Sequence, residues 1–138
     1  CLHILLGRGV LIKDEAFVIG FTMGSTGQLT AITQRLFLLI TRYLYPEGYK
    51  FKAEESRVFK EAVQLAKLMK CVDLSKVNYS NYMDRQLSYV RSELGIDINF
   101  LKYSYLKEKL FYPNSPESQR LVSNLDMLPG GTYEGGHY

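Results

Sequence analysis

The sequence has no tryptophan, and only two cysteines, two histidines and four prolines in 138 residues. Each scarcity excludes something. Cys1 and Cys71 stand in no Cys-x-x-Cys arrangement, and the 138 residues contain no stretch with the pattern of a secretory signal. They make no disulfide framework and point to an intracellular, reducing compartment. The longest unbroken apolar run is Leu36-Phe-Leu-Leu-Ile40, with Arg35 and Arg42 near its ends. It falls far short of the roughly 20 residues that span a bilayer, so no transmembrane segment is expected. A strong charge of either sign is missing too. Against 14 acidic residues stand 17 basic ones, for a net charge of +3, and the basic residues are scattered. That balance gives no support to nucleic-acid binding. Internal repeats and low-complexity blocks are absent. Neither Gly7-Arg-Gly9 nor Gly130-Gly131 has the further glycines or the strand-to-helix setting of a phosphate loop. No serine sits in a Gly-x-Ser-x-Gly elbow; Ser25, in Gly24-Ser-Thr-Gly27, reads as a helix start. Cys71 has no neighbouring histidine and reads as a core filler rather than a nucleophile.

What is present describes a globular domain, with 46% apolar and 22% charged residues. Eleven tyrosines and seven phenylalanines supply the aromatic content. Tyrosine suits boundaries between apolar and wet surroundings. The apolar spacing is helical almost throughout. A short helix is expected over 14–23, closed by Gly24, and Ser25-Thr-Gly-Gln28 has the spacing of a capping box for the next. That next helix, over 29–45, carries so wide an apolar stripe that it reads as central, and Pro46 and Gly48 stop it. An amphipathic helix follows over 52–70, and another over 80–94 ends at Gly95 as a left-handed cap. The stretch 100–112 fits a last helix or an extended arm. The expectation is an all-α fold: a helical bundle of about five helices over 1–112, then a Pro/Gly/Ser-rich tail over 113–138. Leu121, Val122, Leu125 and Leu128 dock part of that tail, with disorder expected past Pro129.

The most informative stretch is His3-Ile-Leu-Leu-Gly-Arg-Gly-Val-Leu-Ile-Lys-Asp-Glu15. Leu2, Leu5 and Leu6 read as the last turn of a buried helix, Gly7 and Gly9 stop it, and Asp14 is placed to cap the next. The reversal brings His3 and Glu15 towards each other. An imidazole and a carboxylate are ordinary ligands for a divalent cation, although a catalytic zinc needs three protein ligands. The alternative is a core histidine bonded to a backbone carbonyl beside a glutamate at a helix start. The 29–45 helix is open in the same way. Its surplus of apolar residues is either core or a groove for a long apolar ligand, with Leu36, Phe37, Ile40 and Tyr43 as the lipid-binding residues. In that case Tyr43, Tyr45 and Tyr49 stand at a polar mouth, and Arg42 or Lys50 meets an acidic head group.

Two anchors, His3-Ile-Leu-Leu-Gly7 through Glu15 and Tyr89-Val-Arg-Ser-Glu-Leu-Gly-Ile96, together resemble the coenzyme Q biosynthesis family known as Coq-four. The family carries His-Asp-x-x-His, eleven residues, then Glu. His3 and Glu15 have that interval, with Cys1 and Leu2 as the x positions, so the first His-Asp pair would precede Cys1. A chain that begins at Cys1, inside an apparent helix, is expected to lack upstream sequence. The second anchor is similar to the family's Leu-Arg-x-x-Leu-Gly-Ile, carried by Val90, Arg91, Leu94, Gly95 and Ile96, with Met83 where an aromatic often stands. The resemblance covers about the first hundred residues. It implies an all-α fold and a divalent metal, zinc first and magnesium second, held by His3, Glu15 and the upstream pair.

It also implies a role in ubiquinone (prenylquinone) biosynthesis, either as a metal-dependent, oxidative decarboxylase removing the C1 carboxyl of a prenylated aromatic acid or as a non-enzymatic scaffold. The partners it implies are a prenylated quinone precursor or isoprenoid lipid, other quinone-biosynthesis proteins and a membrane surface, with a homodimer left open. The corresponding location is the periphery of a membrane: the matrix face of the mitochondrial inner membrane in a eukaryote, the cytoplasmic face in a bacterium.

Overall fold

A computed structural model describes residues 2–125 of the chain. The described residues are all-α, with no strand among them. The order is α1 (Leu2–Leu5), α2 (Ile12–Ser25), α3 (Ala31–Tyr43), α4 (Ala53–Met69), two short 3-10 turns (Leu74–Lys76 and Tyr79–Tyr82), α5 (Leu87–Leu94), α6 (Ile98–Phe111), α7 (Pro116–Gln119) and α8 (Leu121–Leu125).

The core forms where α2 lies directly on α4. Phe17 and Phe21 of the first, with Val58, Phe59, Ala62, Val63 and Ala66 of the second, are buried. Two glycines, one turn apart on α2, permit the close crossing. A Cβ at Gly20 would stand 2.5 Å from the carbonyl oxygen of Phe59, and one at Gly24 2.5 Å from that of Val63. Gly24 therefore does not close the helix as its sequence position suggests; it lies inside it, against backbone. Ser25 starts no capping box either. Its hydroxyl donates to the Thr22 carbonyl and accepts the Leu74 N–H, while Thr30 caps α3 by accepting from the Thr33 N–H.

The direct α2–α4 crossing leaves no place for α3 in the middle. Contrary to the sequence reading, α3 is peripheral: Thr41 is its buried residue, and Ile32, Leu36, Leu39 and Tyr43 are exposed. Phe37 holds it to the body, its ring 5.1 Å from that of Phe59 and 6.3 Å from that of Phe51. The expected 80–94 helix is also shorter than its apolar spacing suggests. Asn78 caps a 3-10 turn over Tyr79–Tyr82, the helix α5 starts only at Leu87, and Gly95 closes it at φ +78°. The 100–112 stretch is helical, launched by Asp97, whose side chain accepts the Asn99 N–H. Beyond it Leu121 and Leu125 are buried against the body. Cys71 is a buried thiol, as a core filler should be, and burial pushes its pKa up. Cys1, Leu128, Pro129 and His137 lie outside the described residues.

Candidate functional site

α1 is one turn long and could not persist alone. Its carbonyls at the C-terminal end would be orphaned without partners, and other elements supply them. Arg91 of α5 donates through Nε to the Leu5 carbonyl at 2.8 Å and through Nη2 to that of Ile4 at 3.4 Å. The Tyr105 hydroxyl of α6 donates to the Leu6 carbonyl at 2.5 Å. Arg8 N–H closes the turn on the His3 carbonyl at 2.8 Å. The second sequence anchor thus acts on the first: Arg91 holds the helix that carries His3. Gly7 then takes φ +66°, where a side chain would both strain the backbone and meet Leu125.

From this turn α2 departs. Asp14 does not occupy the cap position expected of it; it is the third residue of the helix and reaches back to accept the Leu11 N–H at 3.1 Å. Glu15 follows on the side facing α1. The His3 Nε2 and Glu15 Oε1 atoms stand 3.5 Å apart, with the two side chains 28% and 44% exposed. On the other edge of the ring, Nδ1 lies 2.7 Å from the Gly9 carbonyl oxygen. A carbonyl oxygen only accepts, so Nδ1 carries the proton and donates. The Nε2 lone pair is left facing a carboxylate. A divalent cation placed between the two would be bound by both. For a tetrahedral zinc, donors about 2.0–2.1 Å from the ion stand about 3.3–3.4 Å apart, close to what is seen. An Nδ1–H bonded to a backbone carbonyl is also the usual way a metal-binding imidazole is oriented. The donor set fits a cation as two of its ligands. Among the described residues no group of three or more His, Cys, Asp or Glu converges.

Glu15 has a second neighbour, an open groove of about 580 Å³ between the α1–α2 turn and the loop joining α3 to α4. Val10, Leu11, Ile12 and Ile19 form one wall with Glu15, and Tyr45, Gly48, Tyr49 and Phe51 the other. The volume is that of a small-molecule site. Of the aromatic mouth expected from sequence, Tyr45 and Tyr49 belong to this groove, whereas Leu36, Phe37, Ile40 and Tyr43 do not line it. Leu36 and Tyr43 are exposed, Phe37 packs inward on the core, and Ile40 is half-buried. Sequence reasoning missed the groove because its walls come from two segments about thirty residues apart, each too short to show a period. Val10 and Leu11, apolar residues directly after the Gly7-Arg-Gly9 turn, were the available signal, and the structure leaves both exposed.

No family model, no curated protein and no solved structure matches this chain. No helix among the described residues is long and apolar enough to cross a membrane.

Proposed function

We propose that this chain is a metal- and lipid-binding protein of prenylquinone biosynthesis of the Coq-four kind, in which His3 and Glu15 contribute to holding a divalent cation beside a groove that accepts a prenyl chain. One observation carries the reading. An imidazole whose Nδ1 is already engaged turns Nε2 towards Glu15 at 3.5 Å, and the same Glu15 lines an apolar groove. The sequence resemblance supplies the ligand class, a prenylated aromatic acid with its ring carboxyl at C1. Lewis acidity towards a carboxylate or phenolic oxygen is what a bound cation supplies in such a site. The chain's own residues do the remaining work: Gly9 orients His3, and Val10, Leu11, Ile12, Ile19 and Phe51 exclude water from an apolar chain.

Two measurements test this. Protein incubated with prenyl phosphates or prenyl quinones of about C15–C20 should unfold at a higher temperature, since a ligand at a hundred times its Kd adds about 2.7 kcal/mol. Val10→Ser with Leu11→Ser should abolish that gain while leaving the ligand-free midpoint in place, because both residues are exposed. No gain in the unaltered protein contradicts the groove assignment. Catalysis is tested by product: decarboxylated precursor formed by the purified protein and lost in Glu15→Gln supports an enzyme, and a fully active quinone pathway with Glu15→Gln contradicts it.

A scaffold reading has its own support in two exposed apolar faces. One is Ile32, Leu36, Leu39 and Tyr43 on α3, and the other is Tyr103, Leu106 and Leu110 on α6. Such faces suit contact with partner proteins or a membrane surface. They need no open coordination position.

A further inference from the structure

Arg8 is out of place by any local rule. A loop arginine between two glycines belongs in solvent, yet this side chain is wholly buried. Its guanidinium lies between the rings of Phe17 and Tyr105, 4.9 and 5.2 Å from their centroids. It donates from Nη1 and Nη2 to the two carboxylate oxygens of Glu108 at 2.9 and 3.2 Å. Its Nε stands 3.1 Å from Asp14 Oδ1, an ion pair off the line of a hydrogen bond. The arrangement extends to the C-terminal segment. Ser118 of α7 donates to Glu108 Oε2 at 2.8 Å, and Arg120 lies 3.6 Å from Asp14 Oδ2. Burial disfavours the Arg8 charge, but Glu108, Tyr105 and Asp14 outweigh it and hold the guanidinium protonated. Two cations and two carboxylates balance.

A buried ion pair is a poor source of stability, because desolvation offsets most of the attraction. A fixed geometry is what it supplies well. Here the fixed point is the backbone between the two proposed ligands. Arg8 donates its N–H to the His3 carbonyl, the next residue presents the carbonyl that accepts His3 Nδ1–H, and Asp14 adjoins Glu15 at the start of α2. We propose that Arg8, gripped by Glu108, which Ser118 holds in turn, is the positioning residue of the His3–Glu15 pair, fixing the Gly9 carbonyl that sets the imidazole tautomer and turns Nε2 towards Glu15. Glu108 and Ser118, more than a hundred residues along the chain from His3, are thereby part of the site. The functional meaning rests on His3 and Glu15 being ligands; the positional claim does not.

The test uses the full chain with His137→Gln, which leaves His3 as the only histidine, and ¹⁵N-labelled imidazole in mildly alkaline buffer. The unaltered site should show one tautomer, protonated at Nδ1. Glu108→Gln, which keeps shape and loses charge, should give a mixture of tautomers and weaken zinc binding, followed on the same signals, by at least fivefold. Ser118→Ala removes a single hydrogen bond to Glu108, stays folded, and should move both readouts in the same direction by less. Val63→Ala, a cavity in the α2–α4 core, controls for destabilisation and should move neither. A tautomer unchanged in folded Glu108→Gln and Ser118→Ala, or changed as much by Val63→Ala, overturns the proposal. If the starting protein binds no zinc but Glu108→Gln still mixes the tautomers, the ligand reading fails and the positioning stands. If it binds zinc and the variants change nothing, the reverse holds.

Discussion

At His3 both ring nitrogens are assigned by their neighbours, one to the Gly9 carbonyl and one to Glu15. The approach of this pair was legible in the sequence, because a glycine turn between two helices reverses the chain and brings its flanks near each other; the contacts that hold it, from Arg91 and Tyr105, were not. Arg8, Glu108 and Ser118 were not legible. A buried arginine is defined by partners about a hundred residues away, and nothing local marks it. A tyrosine gives the residue scale its pH test. Tyr79 donates its hydroxyl to the Leu74 carbonyl at 2.9 Å, and burial, with smaller contributions from Cys71 and Asp73, raises its pKa from 10 to about 12. A pKa raised on folding means stability that is complete below pH 10 and is lost as pH rises from 10 through about 12. Thermal midpoints should fall across that window, and Tyr79→Phe should make the fall shallower. An unchanged slope would mean that the hydroxyl is solvated. Tyr105, raised further by burial, keeps part of the slope in the variant.

Among the elements, α4 and the Gly95 cap follow directly from apolar spacing and glycine placement. The departures share one cause. Periodicity reports that a helix has an apolar face, and says nothing of what covers it. The wide stripe of α3 suggested a central helix, yet Gly20 and Gly24 bring α2 and α4 so close that α3 is left outside, attached through Phe37. In the same way, helical spacing carried the expected helix back to Ser80, where Asn78 competes for the backbone by accepting the Ser80 N–H and sets up a 3-10 turn over Tyr79–Tyr82, so that α5 begins only at Leu87. The crossing makes a prediction of definite sign. At an exposed helical site Gly→Ala stabilises by about 1 kcal/mol. Here a methyl group would press on backbone oxygen, so Gly24→Ala should destabilise by about 1–3 kcal/mol in urea unfolding. A neutral or stabilising result would mean that the helices stand further apart.

Over the whole molecule, one end gathers what the reading of function needs. α1 carries His3, α2 carries Glu15, α5 and α6 hold α1 through Arg91 and Tyr105, and the loop after α3 closes the groove. The outer faces of α3 and α6 are left apolar. Replacing Ile32, Leu36 and Leu39 together by serine should leave the thermal midpoint within a few degrees, because all three are exposed, and should reduce sedimentation with vesicles containing anionic lipid. A large loss of stability would show that this face is core after all. The claim on which the account turns is that His3 and Glu15 are metal ligands. A His-Asp pair placed immediately before Cys1 would put the new histidine one helical turn ahead of His3 and on its face. Isothermal titration of that longer chain should show zinc bound at least tenfold more tightly than by residues 1–138, a gain of at least about 1.4 kcal/mol, lost again with His3→Ala. Equal affinities for the two chains, or no loss with His3→Ala, would contradict this and leave His3 as an ordinary histidine bonded to a backbone carbonyl beside a helix-start glutamate.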